Sequence, residues 1–157
     1  LFEDSGPLDQ LIVSVGGGGL ISGSALAAHQ QNPNCQIVGV EPELGNDVQL
    51  SLRAGRVIKI EVPDTIADGQ QTTSPGVHTF AVIQQHVEEI VTVADSQILD
   101  AMDYLFRYQR QVVEPSGASA LAALLSGAVK PTGDRIGVIL SGGNISPERF
   151  IELMESR

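Results

Sequence analysis

The sequence of 157 residues has no tryptophan, few other aromatic residues and a single cysteine. Aromatic residues make up 4% of the chain and hydrophobic residues 42%, so we expect a core of aliphatic side chains. One cysteine, Cys35, excludes an internal disulfide and fits a reducing compartment. Neither an apolar run long enough to span a membrane nor a signal-peptide pattern is present. These features predict a cytoplasmic protein.

Basic residues are also scarce, since 9 Lys and Arg stand against 19 Asp and Glu, for a net charge of −10. Such a charge repels the phosphates of nucleic acids and anionic membrane surfaces, so we expect neither as a partner. The length suffices for one domain with a core, and no internal repeat is visible. We therefore predict a single domain over 1–157.

Short apolar runs alternate with helical patterns along the chain. Strands are predicted at 11–15, 36–41, 57–61, 89–93 and 135–140. Helices are predicted at 22–31, 47–54, 80–87 and 118–126, and from Asp95 and Ser146-Pro147 onward. The helix from Asp95 has an apolar face made of Ile98, Leu99, Met102, Leu105 and Phe106. This alternation predicts an α/β fold with an open, mainly parallel sheet and helices on both faces.

Four consecutive glycines, Gly16 to Gly19, follow the first predicted strand and lead into a helix. Without Cβ atoms, this backbone can bring successive N–H groups close to a ligand, and the positive end of the next helix favours an anion. The alternative is a turn needed only for close strand–helix packing. A second glycine cluster, Gly142-Gly143, follows the last predicted strand, at the same carboxyl edge of the sheet. The pattern favours a phosphate site there.

A dinucleotide site is one alternative, because Glu41 stands about 20 residues past the glycines, where a ribose-binding acid is found. The third glycine of that fingerprint is missing, since Ile21 or Ser22 stands in its place. A Walker motif would need Lys followed by Ser or Thr directly after the glycines, and no such pair is present. The polar loop 62–76 is longer than most, and such loops are more often functional.

Five motifs occur in order: Val-Gly-Gly-Gly-Gly-Leu at 15–20, Val-Glu-Pro-Glu at 40–43, Ile-Ala-Asp-Gly at 66–69, Val-Glu-Pro-Ser-Gly-Ala at 113–118 and Ser-Gly-Gly-Asn at 141–144. With them the chain resembles the C-terminal half of fold-type II pyridoxal-phosphate enzymes, the group of threonine dehydratases, serine dehydratases and serine racemases. The resemblance covers nearly the whole chain. It implies the C-terminal part of a cofactor-binding large domain.

The resemblance implies pyridoxal 5'-phosphate as cofactor and assigns roles to individual residues. Ser141 would face the pyridine nitrogen, where a neutral hydroxyl suits the elimination of a β-hydroxyl; the alternative is that Ser141 only turns the chain. Glu114 would lie near the cofactor ring, or alternatively cap the following helix. The other residues implied in cofactor binding are Gly16, Gly17, Gly18, Gly19 and Leu20 at the phosphate and Gly69 near the ring.

Glu41, Gly45 and Asp47 form a second constellation of oxygen donors, which suits Mg²⁺, Ca²⁺ or Mn²⁺. Their spacing is similar to that of the metal site of eukaryotic serine racemases. Alternatively, Asp47 caps the helix 47–54 and Glu41 is a strand-end charge. Arg110 and Asn144 match positions that touch a nucleotide activator in those racemases, although a solvated helix-end Arg is the alternative.

The lysines and histidines of the chain are few and do not stand in positions typical of a catalytic or metal site. The family needs a Schiff-base lysine, and this chain has only Lys59 and Lys130, neither in the family's Ser-x-Lys setting. We therefore expect the chain alone to be inactive, with no catalytic residue of its own, and an N-terminal half to complete it. The three histidines show no metal-ligand spacing, which predicts surface or helix-flank positions for His29, His78 and His86.

For the complete enzyme, the resemblance implies a homodimer that acts on a small amino acid. The reaction would be β-elimination from threonine, serine or a related hydroxy amino acid, giving a 2-oxo acid and ammonia, or racemisation of serine. Two alternatives stay open. One is a non-catalytic phosphate- or nucleotide-binding α/β module, and the other is a different fold-type II activity such as cysteine or tryptophan synthesis.

Overall fold

Four parallel strands form the central sheet of the computed structural model, which describes all residues from Leu1 to Arg157. The strands are β1 (Gln10–Ser14), β2 (Gln36–Pro42), β3 (Glu89–Val93) and β4 (Ile136–Val138), in the spatial order β3-β2-β1-β4. In the register, Val13 lies opposite Gly39 and Ile12 opposite Val138. The predicted open parallel α/β sheet is confirmed.

Seven α-helices connect and flank the strands. They are α1 (Phe2–Ser5), α2 (Gly19–Gln31), α3 (Asp47–Ala54), α4 (Val77–His86), α5 (Asp95–Tyr104), α6 (Pro115–Leu125) and α7 (Pro147–Glu155). None combines the length and the apolar character needed to cross a bilayer. The ends follow local chemistry: Gly55 closes α3 at φ +67°, and the Ser146 hydroxyl accepts a hydrogen bond from the N–H of Arg149 at the start of α7.

Two aliphatic cores cover the two faces of the sheet. Ile12 and Val38 point to one face, where they pack with residues of α5, α6 and α7. Val13 and Ile37 point to the other face and pack with residues of α2, α3 and α4. This division follows from the two-residue period of strand side chains. The prediction of helices on both faces is therefore confirmed.

Several elements differ from the sequence prediction, among them helices α4 and α6, which begin at Val77 and Pro115 rather than at 80 and 118. The segment 57–61 is irregular rather than a strand, because no neighbouring strand pairs with it. Its Ile60 N–H donates to the Thr73 carbonyl and its Ile58 N–H to the Ser51 hydroxyl. Helix α2 begins at Gly19, and β4 is shorter than 135–140. After α5 the chain widens into a π-helical turn, Leu105–Gln109, which rotates the predicted apolar face, so that Phe106 is 45% exposed.

Candidate functional site

A cleft opens at the carboxyl ends of β1 and β4, between α2, α6 and a 3₁₀ turn at Asp68–Gln70. It brings together all eight residues predicted to bind a cofactor, although they come from four separate parts of the sequence. Its lining residues are Ser14, Gly16, Gly17, Gly18, Gly19, Leu20, Ile21, Gly69, Gln70, Glu114, Ser116 and Ser141. The carboxyl edge of a parallel sheet is where ligands bind in folds of this kind.

At two positions of the loop, the surrounding atoms leave no room for a side chain. Gly18 has φ +91°, in the left-handed region, and a Cβ there would lie 2.9 Å from Thr79 Oγ1. A Cβ on Gly16 would lie 2.9 Å from the Gly69 carbonyl oxygen. The Thr79 hydroxyl donates to the Gly17 carbonyl at 2.7 Å. The loop is therefore held from behind by the first turn of α4.

The other two glycines, Gly17 and Gly19, have different surroundings. A Cβ at either position would meet no atom of the chain within 4 Å, so internal packing does not require glycine there. The N–H groups of Gly16, Gly17 and Gly18 donate to no acceptor in the chain. The next N–H groups belong to the first turn of α2, where no intrahelical acceptor exists. Unpaired donors at a helix N-terminus suit an anion such as a phosphate.

Two hydroxyls meet at the end of β1. Ser14 Oγ and Ser141 Oγ lie 3.0 Å apart, within hydrogen-bond distance. If Ser14 donates to the Ser141 oxygen, the Ser141 proton is free to point toward a ligand acceptor. Ser14 was not among the predicted site residues. The available clue is that Ser14 is the one polar residue in the otherwise apolar run 11–15.

Glu114 immediately precedes α6 and lines the cleft beside Ser116. Its carboxylate makes no capping hydrogen bond to α6, so the alternative that Glu114 caps the helix is wrong. The carboxylate instead lies against Gly142, where any Cβ would collide with Glu114 Oε1. The Ser116 hydroxyl accepts a hydrogen bond from the Gly69 N–H at 2.9 Å and so links α6 to the 3₁₀ turn.

Gln70 is a second residue that the sequence did not reveal. Its side chain is 2% exposed, and Nε2 donates to the Val15 carbonyl at 3.0 Å and to the Val40 carbonyl at 2.9 Å. These bonds tie the 3₁₀ turn to the ends of β1 and β2, directly before the glycines and Glu41. Gln70 lies in a polar stretch, so nothing in the local sequence distinguishes it from its neighbours.

Glu41 and Asp47 are both fully buried beside the start of α3. The two oxygens of the Glu41 carboxylate accept the N–H groups of Val48 and Gln49, each at 2.9 Å. Glu41 thus does the capping expected of Asp47, which is the first residue of the helix, after the N-cap Asn46. The prediction that Asp47 caps α3 is wrong, because a strand-end carboxylate occupies the helical N–H groups.

The carboxylates of this pair are shielded from water. Burial, with a smaller contribution from the charge of Asp47, raises the pKa of Glu41 to about 8, although the two N–H partners of Glu41 act in the opposite direction. Burial raises the pKa of Asp47 to about 6. Asp47 Oδ1 accepts from Thr72 at 3.3 Å, whereas Asp47 Oδ2 is buried without a partner. Gly45, the third predicted ligand, is buried in the turn between them.

No cluster of three or more His, Cys, Asp or Glu side chains is placed to hold a metal ion. The two carboxylates would therefore need backbone oxygen or water to complete a coordination shell. Asn144 lines a second polar cleft with Arg149 and with Glu114, which also lines the first cleft, and Arg110 is not part of it. The structure thus does not bring together the two residues predicted to touch a nucleotide activator.

Neither lysine lies in the cleft. The Lys130 carbonyl accepts a hydrogen bond from the Gln10 side chain, at the amino end of β1, whereas the cleft is at its carboxyl end. Lys59 lies in the irregular segment before the 62–76 loop. Two of the histidines form a contact that the sequence did not predict, since the rings of His29 and His86 lie within hydrogen-bond distance of each other.

Comparisons with known proteins agree with this geometry. The family model described as pyridoxal-phosphate dependent enzyme matches residues 1–142. A serine racemase of Schizosaccharomyces pombe is 47% identical over 98% of this chain and 48% of its own length. An L-threo-3-hydroxyaspartate ammonia-lyase of Saccharomyces cerevisiae is 45% identical over 100% of this chain and 48% of its own length.

Solved structures give the same result. Maize serine racemase superimposes with a TM-score of 0.90 at 38% identity, over 99% of this chain and 48% of that one. The processed form of threonine deaminase isoform 2 from Solanum lycopersicum gives a TM-score of 0.90 at 33% identity, over 98% of this chain and 43% of that one. The chain thus spans slightly less than half the length of these relatives. It belongs to the pyridoxal-phosphate dependent enzyme family.

Proposed function

We propose that the cleft holds pyridoxal 5'-phosphate, with the cofactor phosphate on the backbone N–H groups from Gly16 to Leu20. The observation that carries this proposal is the set of unpaired N–H groups at the start of α2, beside glycines that internal packing does not require. No basic side chain lines the cleft, so the helix N-terminus and the peptide dipoles would hold the phosphate charge.

When bound, the cofactor supplies electron withdrawal from the α-carbon of an amino acid. The Ser141 hydroxyl would donate to the pyridine nitrogen, and Ser14 would orient that hydroxyl by donating to its oxygen. A neutral donor leaves the ring nitrogen unprotonated, which suits the departure of a β-hydroxyl. Gly69 and Glu114 would lie beside the ring, with Ser116 holding the Gly69 peptide in place.

The reaction class follows from the relatives, which are named serine racemase, L-threo-3-hydroxyaspartate ammonia-lyase and L-threonine ammonia-lyase. We propose β-elimination of the hydroxyl group from a small hydroxy amino acid, after which hydrolysis releases a 2-oxo acid and ammonia, with serine racemisation as a related outcome. A Schiff-base lysine would come from outside this chain, since neither Lys59 nor Lys130 reaches the cleft. The chain alone would be inactive, and a lysine-bearing half would complete an enzyme that works as a homodimer.

We also propose that Glu41, Gly45 and Asp47 hold Mg²⁺, or Ca²⁺ or Mn²⁺ in its place. The unpartnered Asp47 Oδ2 and the raised pKa of both carboxyls support this, because a cation would compensate the buried charge. Such an ion would be structural or activating, since the reaction chemistry belongs to the cofactor.

A negatively charged side chain introduced into the glycine loop tests the phosphate site, because it would repel the cofactor phosphate. Gly17→Asp adds a carboxylate where there is room for a side chain, so the fold should persist and the affinity for pyridoxal 5'-phosphate should fall by about tenfold or more. Gly23→Asp is the matched control, since Gly23 also faces open space but lies outside the cleft lining. Isothermal titration measures both. Equal affinities in the two variants would contradict the proposal, and would leave a module that binds another ligand elsewhere.

A further inference from the structure

Two helices that flank the glycine loop end side by side, each with a histidine in its last turn. His29 belongs to α2 and His86 to α4. Their Nδ1 atoms are 3.1 Å apart, although the residues are separated by 57 positions in the sequence. Both rings are half-buried. No local motif could have predicted this pair.

The tautomer of His29 is fixed by a backbone group. His29 Nε2 lies 3.0 Å from the Cys35 carbonyl oxygen, which can only accept a hydrogen bond. The ring proton of neutral His29 is therefore on Nε2, and the Nδ1 lone pair points toward His86. A histidine that donates one ring N–H to a carbonyl and offers its other nitrogen has the arrangement found in metal ligands.

The separation of the two nitrogens also suits a metal. Imidazole nitrogens bind zinc at about 2.0–2.1 Å, which places two of them about 2.9 Å apart at a right angle and about 3.4 Å apart at the tetrahedral angle. The 3.1 Å here lies between these values. A direct N–H···N hydrogen bond from His86 fits the same distance in the metal-free chain, and a metal ion would replace that proton.

We propose that His29 Nδ1 and His86 Nδ1 form a two-nitrogen site for a divalent transition metal ion of the zinc, nickel, cobalt or copper class. Imidazole suits these ions and not Mg²⁺, which separates this site from the Glu41–Asp47 pair. The negative ends of two helices and the net charge of −10 favour a cation here. No third side-chain ligand is present, so water would complete the shell and binding would be weak.

The nearby thiol of Cys35 does not belong to the site. It is buried, and burial together with the Asp9 charge raises its pKa, which keeps it protonated. Metal binding would restrict the relative motion of two helices. The ion would clamp the ends of α2 and α4, whose opposite ends carry Gly19 and the Thr79 that holds Gly17.

The test is a Zn²⁺ titration of the tag-free, EDTA-treated chain by calorimetry, with excess Mg²⁺ present to fill carboxylate sites. We expect one Zn²⁺ per chain, and at least a tenfold loss of affinity, about 1.4 kcal/mol, in both His29→Gln and His86→Gln. His78→Gln and Cys35→Ala are the matched controls and should bind as the unsubstituted chain does. Far-UV circular dichroism checks the fold of each variant.

Three results would overturn the proposal. They are absence of Zn²⁺ binding by the unsubstituted chain, binding that survives both His29→Gln and His86→Gln, and binding that Cys35→Ala abolishes. The first result would leave a plain hydrogen bond between the imidazoles. Because the readout is Zn²⁺ affinity, it is independent of pyridoxal 5'-phosphate and of enzyme activity.

Discussion

The conformation of the glycine loop depends on single side chains outside it. The Thr79 hydroxyl donates to the Gly17 carbonyl, and this turns the Gly17 carbonyl toward α4. Gln70 fixes the Val15 carbonyl immediately before the loop. The free N–H groups of the loop are thus presented by residues that lie more than fifty positions away in the sequence.

A Thr79→Val substitution tests this arrangement, because it keeps the shape of the side chain and removes only the hydroxyl. We expect affinity for pyridoxal 5'-phosphate to fall by about threefold to tenfold, the effect of one hydrogen bond of about 0.5–1.5 kcal/mol. Thr79→Ser keeps the hydroxyl and should restore most of the affinity. An unchanged dissociation constant in Thr79→Val, measured by calorimetry, would argue against a positioning role.

Site residues that belong to a sequence motif could be predicted, whereas those whose hydrogen-bond partners are distant in the sequence could not. The four glycines, Gly69, Glu114 and Ser141 were located by their neighbours in the chain, and the structure brings them to one cleft. Ser14, Gln70 and Thr79 were missed because their partners are distant in sequence. Polar side chains of these types are common in loops and at helix starts, so their identity alone says little.

At the scale of elements, helix α3 is joined to the end of β2 by the buried Glu41 carboxylate. The pKa of Glu41 is about 8 and that of Asp47 about 6, both above the ordinary values of 4.5 and 3.8. The folded chain therefore keeps protons that the unfolded chain has released. This contribution to stability is present at low pH and is lost as the pH rises through about 6 and about 8.

Mg²⁺ should reverse this loss, since it binds the ionised carboxylates. We expect its effect on the melting temperature to be small at pH 5 and to grow toward pH 8. At a hundredfold excess over its dissociation constant it would add about 2.7 kcal/mol, or roughly 5–10 °C for a domain of this size. Melting curves in EDTA and in Mg²⁺ across this range measure the effect.

Asp47→Asn tests whether Mg²⁺ binds at this pair, because it replaces one of the two carboxylates by an amide that carries no charge at any pH. The variant should lose the Mg²⁺ effect and show a flatter pH dependence. Glu43→Gln removes an exposed carboxylate from the same turn and should behave as the unsubstituted chain does. An equal response to Mg²⁺ in Asp47→Asn would show that the ion binds elsewhere.

Elements that pack against neighbours on each side could be predicted from the sequence, whereas the segment 57–61 could not. The strand 89–93 was predicted with the bounds that the structure has, and α3 likewise. The segment 57–61 alternates as a strand does, but alternation reports only a half-buried extended chain. Whether a neighbouring strand is available is a property of the whole sheet.

On the scale of the whole molecule, the order β3-β2-β1-β4 places the glycine loop after a central strand and Ser141 after its neighbour. The glycine loop, Ser141 and the turn with Gly69 therefore converge on one edge, while Lys130 is at the opposite edge. This topology is why the donors that we propose for a phosphate and for a ring nitrogen lie together in a cleft that neither lysine lines. Our proposal that a lysine-bearing half completes the site is compatible with the match to slightly less than half the length of the relatives.

The most direct test of this account is the change in backbone amide resonances when pyridoxal 5'-phosphate is added to the ¹⁵N-labelled chain. We expect the largest shifts at the N–H groups from Gly16 to Leu20, a second group at Gly69 and Ser141, and much weaker changes with pyridoxal, which lacks the phosphate. Equal shifts with pyridoxal, or shifts confined to the cleft around Asn144 and Arg149, would contradict the assignment of the glycine loop as the phosphate site.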